Sequence, residues 1–174
     1  MASGLVIVAT PGESTANSYV TLTDADAILL GYTTAVTSAW DAATDAQCNA
    51  ALVQATREID SERLRGTKYN AEDDEEDTDT FQALHFPIAE NYSDSDGACY
   101  IPESVEKATA VQAAYLLRFG ADAVAMQDMI NAGVRVNEPG HLRQTYSAGG
   151  SVLCQEAKRL ISAYIIAGIK VRRG

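Results

Sequence analysis

Basic residues are scarce in this chain: 13 Lys and Arg stand against 24 Asp and Glu in 174 residues, a formal net charge of −11. A surface that neutralises nucleic-acid phosphates needs clustered Lys and Arg, so this balance disfavours wholesale phosphate binding. Histidine is rarer still, at two, His85 and His141. His85 stands in "ALHFP" beside apolar residues, where packing or capping suits an imidazole better than service as a base. Cysteines Cys48, Cys99 and Cys154 are odd in number and far apart, with no CxxC, and read as small buried thiols in a reduced compartment. Cys154 pairs with His141 only on paper, because it falls on the apolar side of a helical pattern. No apolar run spans a membrane; the longest, in "LISAYIIAGI", is about half the length required. "MASGLVIVATPG" lacks a charged leading region, so no signal peptide is expected.

What is present is 47% hydrophobic and 21% charged, the composition of one soluble globular domain with a real core. Charge is unevenly placed. Residues 1–103 hold 19 acids and 4 bases, whereas residues 104–174 hold 5 acids and 9 bases. Such asymmetry suits oriented docking between unlike faces.

The pattern along the chain predicts a mainly α fold: a small helical bundle with a long acidic loop, a β-hairpin or extended arm, and extended N- and C-terminal segments. The single domain, 1–174, divides into an N-terminal arm (1–16), first helices (17–68), a long acidic loop (69–101), a central helix region (102–131), a hairpin arm (132–150), a C-terminal helix (151–168) and a tail (169–174). "LVIVA", closed by Thr10-Pro11-Gly12, reads as a short strand or extended arm. Thr23 is placed to cap a short helix ending at Gly31, and Ala, Thr and Ser fill a loop up to Trp40. Thr44 and Gln47 form a capping box, after which Cys48, Leu52, Ala55 and Ile59 make one apolar stripe until Gly66. The opposite face carries Gln54, Arg57, Glu58 and Glu62. Pro102 opens a second long helix with Glu103 and Glu106 near its positive end, apolar nearly all round and therefore central. "VRVNEPGHLRQTY" alternates around a turn, and a final amphipathic helix carries Leu153, Ala157, Leu160, Ile161, Tyr164 and Ile165 on one face.

The most unusual stretch is "EDDEEDTD", which holds Glu72, Asp73, Asp74, Glu75, Glu76, Asp77 and Asp79. It lacks the glycine and the ligand spacing of a calcium loop. "DSDG" comes closer: with Gly97 as the sixth position, Asp94, Asp96 and Glu103 fall on the third, fifth and twelfth. Its first position is then Tyr92, which cannot ligate, and its eleventh is Pro102. The acidic run therefore reads as a solvated, self-repelling loop or as a functional electrostatic surface. Arg57, Arg63, Arg65, Lys68 and Tyr69 make the best basic cluster, diluted by Asp60 and Glu62, and the Arg residues suit pairing with neighbouring carboxylates. "SAGGS" is too short for a phosphate loop and lacks its Lys. No catalytic residue, metal site or cofactor is expected, and the protein is read as no enzyme.

The order of blocks carries more than any one block. "SYVTLTDADAILL", Trp40, "ALVQATREIDSERLRGTK", "QALHFPI", "IPESVEKATAVQAAYLL", "GVRVNEPGHLRQTY" and a closing amphipathic helix together resemble the head–tail adaptor (connector, or head-completion) proteins of long-tailed bacteriophages. Some members of that family carry the label DnaT-like single-stranded-DNA-binding protein. The resemblance spans residues 17–170. Phe86-Pro87-Ile88 departs from a frequent Trp-Pro-Arg, and the acidic insertion after Lys68 departs from the common pattern. The resemblance implies a homo-oligomeric ring of about twelve copies, placed in the virion at the head–tail junction after assembly in the host cytoplasm. Its partners would be the portal protein and a tail-completion or stopper protein, with genomic DNA passing without specific binding and no membrane. Within that reading the tail, Ile169, Lys170, Val171, Arg172 and Arg173, is the portal-binding candidate, as an added extended segment. The acidic run is expected to face the lumen or the tail. A single-stranded-DNA-binding module is the alternative, resting on Arg63, Arg65 and Lys68.

Overall fold

The computed structural model describes residues 5–68, 82–93, 98–131, 136–137, 144–145 and 153–166. It is mainly α. Helices α1 (Leu22–Leu29), α2 (Thr34–Asp41), α3 (Asp45–Asp60), α4 (Glu103–Asn131) and α5 (Gln155–Leu160) are joined by two short antiparallel hairpins. In the first hairpin β1 (Tyr92–Ser93) pairs with β2 (Ala98–Cys99), and in the second β3 (Val136–Asn137) pairs with β4 (Gln144–Thr145). No helix among the described residues is long and apolar enough to cross a membrane.

Helix α4 is the axis, packed against α1, α2, α3 and α5. Its N-terminal half explains why: Ala108, Thr109, Ala110, Val111, Gln112, Ala113 and Ala114 are all buried, so every face of two helical turns meets protein. Four of these residues are alanine, which lets neighbouring helices approach closely. One cluster gathers Val20, Leu29, Trp40, Cys48, Leu52 and Val111 between α1, α2, α3 and α4. A second gathers Tyr19, Ile59, Phe86, Ile88, Val105, Ala157 and Ile161 around α3, α4 and α5.

The capping box at the start of α3 is present in full: Gln47 N–H donates to Thr44 Oγ1 at 3.4 Å, and Thr44 N–H donates to Gln47 Oε1 at 2.9 Å. The predicted stripe of Cys48, Leu52, Ala55 and Ile59 is buried. Glu58, assigned by the sequence to the solvated face, is buried as well. Its carboxylate accepts from Gln112 Nε2 at 2.7 Å and from Gln54 Nε2 at 3.1 Å, while Gln112 Oε1 accepts from the Cys154 amide at 2.8 Å. One fully buried amide therefore ties α3, α4 and the start of α5 together. A buried carboxylate is tolerated only with such partners.

Several boundaries differ from the sequence reading. The α1 cap is Thr21, whose Oγ1 accepts from the Asp24 amide at 3.2 Å, rather than Thr23. The stretch before Trp40 is helical, because Thr37 and Trp40 are buried and tertiary packing outweighs the weak helix propensity of Thr, Val and Ser. Helix α3 ends at Asp60, before Gly66. Gly66 serves instead a backbone turn with φ of 91°, where a Cβ would stand 2.8 Å from Ile88 Cδ1. Helix α4 begins one residue later than expected, with the Pro102 carbonyl accepting from Val105 and Glu106. The predicted loop 69–101 contains a 3₁₀ turn, Ala89–Asn91, and the first hairpin. The C-terminal helix is shorter than 151–168. After Leu160 the chain turns, and Arg65 N–H donates to the Tyr164 carbonyl and Ile166 N–H to the Arg63 carbonyl, each at 2.8 Å. Extended pairing with residues 63–65 takes Tyr164 and Ile165 off the helix, in keeping with the β-branched run there.

Replacing Gln112 with Leu should leave Glu58 short of its best donor, costing about 3 kcal/mol in urea unfolding. Adding Glu58→Leu should recover most of that loss, because the buried charge goes with its partner.

A clamped loop base as candidate functional site

The acidic residues 72–79 and the tail residues 169–173 lie outside the described residues. The structure does describe what holds the ends of the acidic segment. Lys68 and Ile88 form an antiparallel bridge, and Lys68 Nζ donates to the carbonyls of Gln82 at 3.2 Å and Ala83 at 3.0 Å. Residue 68 and residue 82, the two flanks of the segment, thus meet. The Gln82 side-chain amide sits within bonding distance of three carbonyls, Leu84 (2.9 Å), His85 (3.0 Å) and Pro87 (2.8 Å), which folds the returning strand of the loop into a compact turn.

Beneath this turn lies a buried polar junction. Tyr19 Oη donates to Asp60 Oδ1 and accepts from the amides of His85 at 3.1 Å and Phe86 at 3.2 Å. The His85 amide also lies 3.2 Å from Asp60 Oδ2. Phe86 fills the space around it, edge-on to the rings of Tyr19, His85 and Tyr164 at 5.7, 5.2 and 5.0 Å between centroids. Burial is the main reason that both acids are shifted: the Tyr19 phenol is pushed far up, helped by the Asp60 charge, and the Asp60 carboxyl is pushed up against the opposing pull of Tyr19 and His85. His85 is a packed residue, with Nε2 3.1 Å from the Arg65 carbonyl, an arrangement that places its proton on Nε2. No sequence periodicity marks Tyr19 and Asp60, which stand 41 residues apart; only their polar character at the edges of apolar stretches hints at a buried pair.

Two of the four bases in the cluster read from the sequence are engaged. Arg65 Nε donates to the Ala163 carbonyl, and Lys68 serves the loop base. Elsewhere Lys107 pairs with Glu103 at 2.6 Å, Arg159 pairs with Glu156 at 2.6 Å, and Arg118 donates to the Ala35 carbonyl while lying 4.7 Å over the Phe119 ring. The side chains of Arg57, Arg63 and Lys158 make no such contact with described residues. Cys154 caps α5, its Sγ 3.4 Å from the Ala157 amide. Burial raises the thiol of Cys154, as it does that of Cys48, so both stay protonated and poorly nucleophilic. His141, Asp94, Asp96 and Gly97 lie outside the described residues, and no group of potential metal ligands converges among those described.

A second surface feature is a groove of ≈ 450 Å³ between α1 and α2, floored by Leu29, Tyr32 and Trp40 and edged by Asp26 and Asp41. Trp40 Nε1 donates to Asp26 Oδ1 at 2.8 Å, which fixes the indole. Leu30 stands 88% exposed at its lip.

Together these features define a small α-helical protein with a closed loop base, polar clamps and no convergent set of reactive groups among the described residues. Residues 4–169 match the family described as "Putative DnaT-like ssDNA binding protein", and the chain belongs to it. No curated protein and no solved structure matches the chain.

Tyr19→Phe removes one donor and one acceptor from the junction and should cost about 2 kcal/mol of stability, read from denaturant midpoints. Because the folded-state pKa of Asp60 is raised, its contribution is fully present below the ordinary carboxyl value of 3.8 and is lost as pH rises through the raised value. In Asp60→Asn that part of the pH slope in unfolding free energy should vanish.

Proposed function

We propose that this chain is a structural subunit acting through protein contacts, a head–tail adaptor of the bacteriophage kind, docked as a ring between a portal and a tail or stopper protein. The observation that carries this reading is the engagement of its cations. Arg65, Lys68 and Arg118 hold backbone carbonyls of their own chain, while Lys107 and Arg159 hold carboxylates. These are five of the eight Lys and Arg among the described residues, and the chain as a whole is acidic. The order of sequence blocks supports the same reading, and so does a central helix buried on every side over residues 108–114. No chemistry and no cofactor are assigned to it. The acidic segment, presented on a clamped base, repeats around such a ring as a negative belt that repels passing DNA and lets it slide.

The family description favours a second reading, single-stranded DNA binding, and backs it more directly than the adaptor role. One surface of the structure agrees with it. On α4 the exposed Phe119 stands 5.1 Å from Tyr115 with Arg118 over its face, an aromatic and cationic patch of the type on which bases stack.

Two measurements separate the readings. Electron microscopy of the purified chain with and without portal should reveal a ring on the portal, and gel shifts with oligonucleotides at low salt should reveal no complex. A salt-sensitive complex weakened by Phe119→Ala, or by neutralising Arg63, Arg65 and Lys68, would install the second reading instead. Replacing the acids of residues 72–79 with Ser and Asn should impair genome passage or retention; a defect confined to tail joining would move the segment from the lumen to the tail side.

A further inference from the structure

Residues 5–9 have one satisfied backbone edge and one on which the half-buried Ile7 and Ala9 are unpaired among the described residues. The Asn17 side chain supplies the first: Nδ2 donates to the Val6 carbonyl and Oδ1 accepts from the Val8 amide, each at 2.9 Å. The Val8 carbonyl also accepts from the amides of Asn17 at 2.9 Å and Ser18 at 3.2 Å. One amide group that reaches residues i and i+2 at once requires extended backbone, in which alternate residues turn their polar groups to opposite sides. The N–H and C=O of Ile7 and Ala9 therefore face away from Asn17. Neither residue makes a hydrogen bond with any described residue. The Leu5 carbonyl accepts from Asn49 Nδ2 at 3.3 Å, which marks where the open stretch begins. Val6 is 71% exposed and Leu5 44%. An open, apolar, extended edge is a template for an added strand.

We propose that this edge receives the C-terminal segment, residues 167–174, of a second copy of this chain as an added strand. The segment has the right pattern, with Ile169 and Val171 alternating with Lys170 and Arg172, the period of a strand with one apolar and one basic face. The chain is already extended where it approaches the segment, since Ile165 bridges to Leu64 and Ile166 N–H bonds the Arg63 carbonyl. Charge favours the union. Residues 1–103 carry 19 acids against 4 bases, whereas Lys170, Arg172 and Arg173 bring positive charge with no acid beside them. Fully extended, the segment spans about 26 Å, enough to leave one small domain and lie along its neighbour. A tail seated on the edge of the next copy is a head-to-tail contact, so it propagates into a ring or a filament. The inference does not depend on the adaptor reading, because the contact needs no portal.

The test is amide hydrogen exchange together with sedimentation of the full-length chain over rising concentration, without portal and then with it. The Ile7 and Ala9 amides should gain protection in step with self-association. Both protection and association should be lost on deleting residues 169–174 and in Ala9→Pro. That proline removes an N–H unpaired in the isolated chain, so the thermal midpoint should match the parent. Should the proline lower the midpoint, Lys170→Glu with Arg172→Glu gives a second variant, expected to weaken association while leaving the midpoint in place. The proposal is overturned by a chain that stays monomeric throughout, or by association that survives the deletion, the mark of residues 5–9 pairing with their own counterparts. It is equally overturned by Ile7 and Ala9 amides that stay open in the assembled species, or that close only when portal is added. Each of these outcomes leaves the portal and oligonucleotide experiments to be judged separately.

Discussion

The fold turns on the buried amide of Gln112. It sits in the fully buried first half of the central helix, where an apolar residue would pack as well in volume, yet it bonds the Glu58 carboxylate with one end and the Cys154 amide with the other. Three elements far apart in sequence are set in register by this one side chain. A hydrophobic contact tolerates small slides; a buried amide hydrogen-bonded at both ends does not. Helix α5 is only six residues long and would not persist alone. Its position depends on this contact at its N-cap, Cys154, and on the burial of Ala157 and Ile161.

The Tyr19–Asp60 junction plays the same part at the other pole. It joins the segment before α1, the end of α3 and the turn at His85 and Phe86. Both junctions place an acid in a protected setting and answer its cost with donors: Glu58 takes them from α4 and from Gln54 of its own helix, and Asp60 takes them from Tyr19 and the His85 amide. The acidic character of the chain is thus handled in two ways. Isolated carboxylates inside are paired with neutral donors, and the concentrated run is confined between the flanks at Lys68 and Gln82.

Much of the helical frame was legible beforehand because it follows periodicity. The stripe of α3, its capping box and the all-round apolar character of α4 are local patterns; the structure carries the first two, and the third over residues 108–114, while Phe119 is exposed. Helix α2 was not legible, since its sequence has weak propensity and its stability comes from Trp40 and Thr37 packing inward. The end of α5 was misread for the reverse reason: Tyr164 and Ile165 fit a helical face, but pairing with residues 63–65 lies a hundred residues away and leaves no local trace. The burial of Glu58 and the junction at Asp60 were equally hidden. Their donors come from distant segments, and the same letters on an exposed face would look no different. Of the candidate site, the acidic run was obvious in the sequence while the clamp at its base was not, because Lys68 looked like one more basic residue.

That clamp has a consequence for how the chain tolerates change. The flanks at residues 68 and 82 are pinned by a bridge and an ammonium group, so the two ends meet whatever length of chain joins them. Each doubling of the intervening length raises the closing entropy by only about 0.6 kcal/mol. The position is therefore a natural port for insertion, where peptides of foreign sequence or added length can be displayed while the helices below keep their packing.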